Sequence, residues 1–196
     1  MTAHAEAPNY EKGKFTELLL YVASRMLGDP SYGSVKLNKV LFFSDVIHYA
    51  QFGTSITGAE YVRQRLGPAP RGITDVQAEL QMKGDADLAV LQRGTRVQKI
   101  LFPKRAPTLD VFKGSEIATV EAVIEAFRDH TAEEVSDLSH TLDGWKFARE
   151  HEVIPYWTIF LYNGLMTDED VTRGLTLANE LREQVEQRVG TGSQAA

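Results

Sequence analysis

Three histidines are the first residues in this sequence whose chemistry could support a reaction. His130, His140 and His151 have Asp143 and Glu152 near them, and imidazole with carboxylate can bind metal ions or transfer protons. Metal ligands on a helix are usually three or four residues apart, whereas these histidines are ten and eleven apart. Helix capping or surface exposure is therefore the favoured interpretation, and a His-based or metal-dependent hydrolase is the alternative.

Asp45 and His48 form a second candidate, because residues at i and i+3 of a predicted helix share a face. A carboxylate that orients an imidazole is half of a general-base pair. No Gly-x-Ser-x-Gly turn surrounds Ser44, there is no cysteine, and no glycine-rich phosphate motif is present. The favoured interpretation is a pair on the helix surface. The sequence thus predicts no catalytic residue, no metal and no cofactor, and the protein is not expected to be an enzyme.

Aromatic residues are concentrated in one short segment near residue 150. They would fill the core of most domains, yet tryptophan and tyrosine also dominate the energetics of protein interfaces. The two interpretations have equal support from the sequence. The residues are Trp145, Phe147, Tyr156, Trp157, Phe160 and Tyr162.

The charge distribution bears on nucleic-acid binding. The net charge of −6 argues against a dedicated nucleic-acid protein, which needs a basic face to neutralise phosphates. The middle of the chain is nevertheless basic, and its favoured interpretation is a solvated strand face. A DNA-binding autoregulator is the alternative. The basic residues are Arg63, Arg65, Arg71, Arg93, Arg96, Lys99, Lys104 and Arg105.

The remaining composition predicts one cytoplasmic domain that has no membrane contact. A chain of 196 residues with 43% hydrophobic and 24% charged residues is typical of a single folded domain. It lacks cysteine, a secretory signal and any apolar run approaching ~20 residues, which a membrane-spanning helix requires. Residues 1–10 are expected to be a flexible arm, 11–189 the domain and 190–196 a flexible tail.

Hydrophobic periodicity supplies the expected elements. It predicts a helix from Phe15 to Gly28, then a central helix that is capped by Ser34, apolar nearly all round and ended by Gly53. A short helix at 73–82 and a hairpin formed by 88–91 and 97–102 follow. Ser115, Thr131 and Thr167 are the expected starts of three more helices. The predicted fold is mainly α (α+β), a helical bundle with one small antiparallel β-hairpin or sheet.

Several short motifs, taken together in their order, resemble a known family. They are 36–43 (KLNKVLFF), 48–53 (HYAQFG), Tyr61 with Gly67-Pro68, and 138–140 (LSH) followed by Trp145. This order is similar to the Panacea domain of SocA-like antitoxins, over roughly residues 15–160. Leu66 departs from the pattern, since an aromatic residue often precedes Gly-Pro in the family. The predicted helix from Asp168 could lie partly outside the shared domain.

The resemblance implies an antitoxin of a bacterial or phage-associated toxin–antitoxin system. Such a protein neutralises a cognate toxin, encoded beside it, by direct protein contact. SocA itself is similar in domain and acts as an adaptor that delivers its toxin to the Clp protease. Because the chain is acidic, a basic toxin is the expected partner.

A partner-binding site is predicted around the connector Gly67-Pro68-Ala69-Pro70. Its prolines limit the freedom of the connector before binding, so less entropy would be lost on association. Arginine, tyrosine and tryptophan are frequent interface anchors. A turn with solvated arginines is the competing interpretation. The predicted partner-binding residues are Tyr61, Arg63, Arg65, Pro68, Arg71, Trp145 and Trp157.

Overall fold

The computed structural model describes residues 9–93 and 96–161, so the predicted helix from Asp168 and the tail at 190–196 lie outside the described residues. The described chain is mainly helical with small antiparallel strand pairs, which confirms the predicted fold class. No described helix is long and apolar enough to span a membrane. The elements are α1 (Lys12–Met26), α2 (Ser34–Phe52), β1 (Tyr61–Val62), β2 (Ala69–Pro70), α3 (Ile73–Lys83), β3 (Ala86–Arg93), β4 (Arg96–Pro103), a 3-10 helix (Leu109–Val111), α4 (Gly114–Phe127), α5 (Ala132–His140), α6 (Asp143–Phe147) and a second 3-10 helix (Tyr156–Phe160).

Helix α2 is the central helix, as its apolar circumference predicts. It packs against α1, α4, α5, β2 and the second 3-10 helix, and its side chains from Leu37 to Val46 are almost all buried. The Phe42 ring lies edge-on to Phe43 and Tyr61, with centroids 5.3 and 5.2 Å away. Most of the hydrophobic core therefore surrounds α2.

The two ends of α2 differ in how well the sequence predicts them. Gly53 ends the helix as expected, with φ of 74° and its N–H donating to the Tyr49 carbonyl at 2.8 Å. The predicted cap at Ser34 is wrong. Gly33 holds the N-cap position, and the Ser34 hydroxyl donates to the Lys99 carbonyl, 3.1 Å away on β4.

Asp45 and His48 are buried, so the predicted surface pair is wrong. The Asp45 carboxylate accepts hydrogen bonds from the N–H groups of Ile56 and Thr57, at 2.7 and 2.9 Å, and from the hydroxyls of Thr57 and Tyr61, both at 2.7 Å. Burial raises the pKa of Asp45, while these donors favour its ionised form. The His48 Nδ1 lies 2.6 Å from the Thr54 carbonyl. Both side chains thus hold the segment that follows α2.

The strands form two antiparallel pairs. Strands β3 and β4 make the predicted hairpin, in a register that places Leu88 opposite Leu101. Strands β1 and β2 pair through Tyr61 with Pro70 and Val62 with Ala69. The predicted connector therefore folds back on the segment before it, a pairing too short to be visible as a strand pattern in the sequence.

Local capping chemistry determines where the helices after the hairpin begin. At α5 the predicted capping box is confirmed: Glu134 N–H donates to the Thr131 hydroxyl at 3.2 Å, and Thr131 N–H donates to the Glu134 carboxylate at 2.6 Å. The predicted start at Ser115 is wrong. Lys113 holds the N-cap of α4, and its N–H donates to the Glu116 carboxylate at 2.8 Å.

Candidate partner-binding site

A buried lysine lies beneath the Gly67-Pro68 segment. Helix α2 carries Lys39, whose side chain lies next to Gly67 and is 1% exposed. Its ammonium donates to the Pro68 carbonyl at 2.9 Å. Burial away from water disfavours the charged form and lowers the pKa of Lys39 to about 7. This cation is thus the chemically most unusual group near the predicted site.

The segment above Lys39 depends on glycine at position 67. Gly67 adopts φ of 88°, a left-handed conformation that other residues rarely accept. A Cβ at this position would lie 2.2 Å from the Ser139 hydroxyl and 2.4 Å from Lys39 Cε. The Ser136 hydroxyl also donates to the Leu66 carbonyl at 3.0 Å, which joins the segment to α5.

An arginine and a histidine stack on Trp145 beside this segment. The Arg63 guanidinium carbon lies 4.3 Å from the centroid of the Trp145 ring, and the His140 ring is stacked on it at 4.0 Å. The Trp145 indole N–H donates to the Gln64 carbonyl at 3.2 Å, and Arg63 donates to the Ala148 carbonyl at 2.9 Å. Burial, and then the charge of Lys39, lowers the pKa of His140.

A cleft of about 740 Å³ opens beside the Gly67-Pro68 segment. Its wall includes the start of α2, the start of α3 and the turn between β1 and β2. Arg65 and Arg71 are exposed, and Arg71 is paired with Glu60 at 2.5 Å. The residues that contribute polar or charged side chains to the wall are Ser34, Asn38, Lys39, Gln64, Arg65, Arg71, Thr74 and His151.

The structure brings together part of the predicted partner-binding set. Arg65 and Arg71 line the cleft, and Arg63 stacks with Trp145 next to Gln64 in the cleft wall. Pro68 is buried and contributes its carbonyl to Lys39. The other two predicted residues lie apart from this surface.

Tyr61 and Trp157 are those two residues. Tyr61 is 1% exposed and donates to Asp45, so it supports the site from the core and offers no side-chain surface to a partner in this conformation. Trp157 is 47% exposed on the second 3-10 helix and does not line the cleft.

The aromatic segment divides between the core and the surface. Tyr156 is buried and donates to the Ala59 carbonyl at 2.6 Å, whereas Phe147, Trp157 and Phe160 are exposed. Tyr162 lies outside the described residues. The core interpretation therefore holds for Tyr156, and the interface interpretation stays a prediction for the exposed residues.

Three cations of the basic middle, Arg71, Lys104 and Arg105, are paired with described carboxylates. Arg105 contacts Glu17 at 2.6 Å, and Lys104 contacts Asp87 at 2.7 Å. The side chains at 93–96 lie outside those described. These pairs reduce the positive field that a DNA-binding face would need, so the geometry adds no support to an autoregulator.

The histidines considered for catalysis lie in different environments. His140 is stacked on Trp145, His151 lies 3.1 Å from the Gln64 side chain, and the His130 carbonyl accepts a hydrogen bond from Lys36 at 2.6 Å. Within residues 9–93 and 96–161, no three His, Cys, Asp or Glu side chains are placed to hold a metal ion. The geometry gives the hydrolase alternative no support.

Lys39 is the site residue that sequence reasoning missed. A usable signal was present, because Lys36 and Lys39 interrupt a helix that is otherwise apolar on most sides. A cation on such a helix must be buried with a partner or lie next to a polar cavity. The sequence alone could not show which of these applies.

Comparison with known proteins supports the resemblance seen in the motifs. A family model described as "Antitoxin SocA-like, Panacea domain" matches residues 37–146, which include Lys39, the Gly67-Pro68 segment and Trp145. The searches of curated proteins and of solved structures returned no match. Because the family match covers more than half of the chain, the protein belongs to the SocA-like antitoxin family with a Panacea domain.

Proposed function

We propose that this protein is a cytoplasmic antitoxin that neutralises a cognate toxin by direct binding and catalyses no reaction. Its family supports a toxin partner. The binding surface in this proposal comprises Arg63, Arg65, Arg71 and Trp145, together with the backbone of the Gly67-Pro68 segment. We call it the Gly-Pro surface.

The stack on Trp145 is the observation that carries this assignment. Arg63 and His140 contact one indole ring, and Arg63 is also tied to the Ala148 carbonyl. Such a preorganised arginine–tryptophan pair loses little side-chain entropy on binding and has the composition of an interface hot spot. Arg65 and Arg71 are exposed and line the cleft together with Gln64, whose carbonyl accepts the hydrogen bond from Trp145.

Growth rescue tests the proposal. The adjacent open reading frame, expressed alone, should arrest growth, and co-expression of this protein should restore it. The double substitution Arg65→Glu/Arg71→Glu should abolish rescue and leave the protein folded, as circular dichroism and melting would show. Lys104→Glu/Arg128→Glu is the matched control, because it also reverses two exposed cations, and both of these form exposed ion pairs as Arg71 does.

Two results would reject parts of the proposal. If the Arg65→Glu/Arg71→Glu variant rescues growth as well as the parent protein does, the interface lies elsewhere. An adjacent product that is harmless, or not rescued, would reject the antitoxin assignment for this pair. Repeating the rescue in cells without Clp protease separates two mechanisms. Growth rescue persists there if the protein blocks the toxin directly, and it fails if the protein delivers the toxin to the protease.

A further inference from the structure

The charged side chains that line the cleft are all positive, although the whole chain has a net charge of −6. Its described lining contains Lys39, Arg65 and Arg71 but no Asp or Glu. Three acidic residues lie close to the cleft without lining it: Glu60, which is paired with Arg71, Asp75 in the first turn of α3, and Glu150, 3.9 Å from His151 Nε2. A cleft of this kind favours negative groups.

Lys39 has fewer acceptors than a buried ammonium group requires. Its three N–H donors have one hydrogen-bond acceptor among the described residues, the Pro68 carbonyl. The side chain forms no ion pair with a described carboxylate and is 1% exposed. Buried cations are normally paired, so the other donors call for an acceptor that the described chain does not supply.

Two helices also begin in the wall of the cleft. Ser34 and Val35 open α2, and Ile73 and Thr74 open α3. No side chain caps the first N–H groups of either helix. The positive ends of both helix dipoles therefore add to the field of the three cations.

We propose that this cleft binds a small anionic molecule carrying carboxylate or phosphate groups, with Lys39 and Arg65 as its principal cationic contacts. The cleft volume of about 740 Å³ lies within the range typical of small-molecule sites. A bound anion would supply the missing acceptor for Lys39. This site goes beyond toxin neutralisation, because it needs no partner protein.

Binding should depend on pH, because an anion favours the protonated form of Lys39. Affinity should fall as pH rises through the pKa of Lys39, which burial lowers to about 7. Arg65 of the turn lines the same cleft as Lys39, and His140 of α5 is affected by the charges of Lys39, of Asp137 and of Arg63, which follows β1. The imidazole of His140, whose pKa is lowered by burial and then by the charge of Lys39, is also titratable, so the pH effect is assigned to Lys39 only if Lys39→Met removes it.

Calorimetric titration of the purified chain with pyrophosphate and with citrate, at constant ionic strength, tests the site. At about pH 6, at least one probe should bind with a dissociation constant below about 1 mM. Lys39→Met and Arg65→Gln should each weaken that binding by about tenfold or more, since each removes a charge-assisted hydrogen bond. Lys104→Gln, which removes an exposed cation elsewhere, is the control.

The outcomes separate this proposal from the antitoxin assignment. Binding of pyrophosphate alone indicates a phosphate ligand, and binding of citrate alone indicates a carboxylate ligand. The anion site is rejected if neither probe binds, or if Lys104→Gln weakens binding as much as Lys39→Met and Arg65→Gln do. It is also rejected if both cleft variants bind like the parent chain. Growth rescue is measured independently and can succeed in each of these cases.

Discussion

Lys36 and Lys39 lie three residues apart on α2 and are both buried, yet their surroundings differ. The Lys36 ammonium contacts the Asp29 carboxylate at 2.5 Å and the carbonyls of Arg128 and His130 at 3.5 and 2.6 Å. Lys39 has the Pro68 carbonyl as its acceptor among the described residues. The same residue type on the same helix is thus enclosed by acceptors at one position and short of them at the other.

The difference separates a structural cation from a candidate binding group. Lys36 joins α2 to the end of α4 and to the loop after α1, because its acceptors come from both places. Lys39 lies in the wall of the cleft, beneath Gly67. A buried charge that the fold does not fully pair lowers stability, and such groups are frequent at functional sites.

Lys36→Met should produce the largest change in stability. It would leave the Asp29 carboxylate and two carbonyls without their donor, which typically costs roughly 3–5 kcal/mol when a buried pair is broken. Chemical denaturation at neutral pH measures the free energy of unfolding. Lys36→Met/Asp29→Asn should recover part of the loss, because it also removes the unpaired carboxylate. Lys104→Met, at an exposed pair, should change stability by less than about 1 kcal/mol. A Lys36→Met variant as stable as the Lys104→Met control would show that Lys36 does not join these elements.

Lys39→Met should change stability in the opposite direction. At neutral pH it should raise the free energy of unfolding by roughly 1–3 kcal/mol, since it removes an incompletely paired buried charge at the loss of one hydrogen bond. In the parent protein burial lowers the pKa of Lys39 to about 7, below the ordinary lysine value of 10.5 that applies in the unfolded chain. Between these values the unfolded chain binds the extra proton, so stability should rise with pH by up to about 1.4 kcal/mol per unit.

Denaturation at about pH 7, 8 and 9 would measure this slope in the parent and in Lys39→Met. The variant should lose the contribution of Lys39, and the two stability curves should converge as pH rises. If Lys39→Met is instead destabilised as strongly as Lys36→Met, Lys39 is a fully paired structural cation and the contrast between them is wrong.

The helices around these lysines were largely predictable, because their signals are local. The apolar circumference of α2, the stop at Gly53 and the capping box from Thr131 to Glu134 all operate within a few residues. The Ser34 cap failed for a tertiary reason: the hydroxyl bonds to Lys99, far along the chain.

The site was only partly predictable for the same reason. Arginine and tryptophan near a Gly-Pro motif indicated the region, but the stack of Arg63 on Trp145 joins residues far apart in sequence. Tyr61 is not recognisable as a core residue from the sequence, because the i and i+3 spacing of Asp45 and His48 predicts that its partner Asp45 lies on the helix surface. The contrast between the two lysines depends on acceptors from the loop after α1, the end of α4 and the Gly67-Pro68 segment, which only the folded chain assembles.

The smallest expected effect is a change in the pKa of His140. Burial lowers this pKa first, followed by the charge of Lys39, while Asp137 raises it and Arg63 lowers it. Lys39→Met removes one of the two cations that oppose protonation of the imidazole, so the pKa of His140 should rise. Lys36→Met should leave it unchanged, because Lys36 is not among the groups that shift it. NMR titration of the imidazole carbon-bound protons can follow His140 in all three proteins, with His140→Gln assigning the resonance. Equal titration curves for the parent and Lys39→Met would mean that the Lys39 ammonium does not act on the stack of His140 and Trp145, and Lys39 would then have no electrostatic link to the Gly-Pro surface.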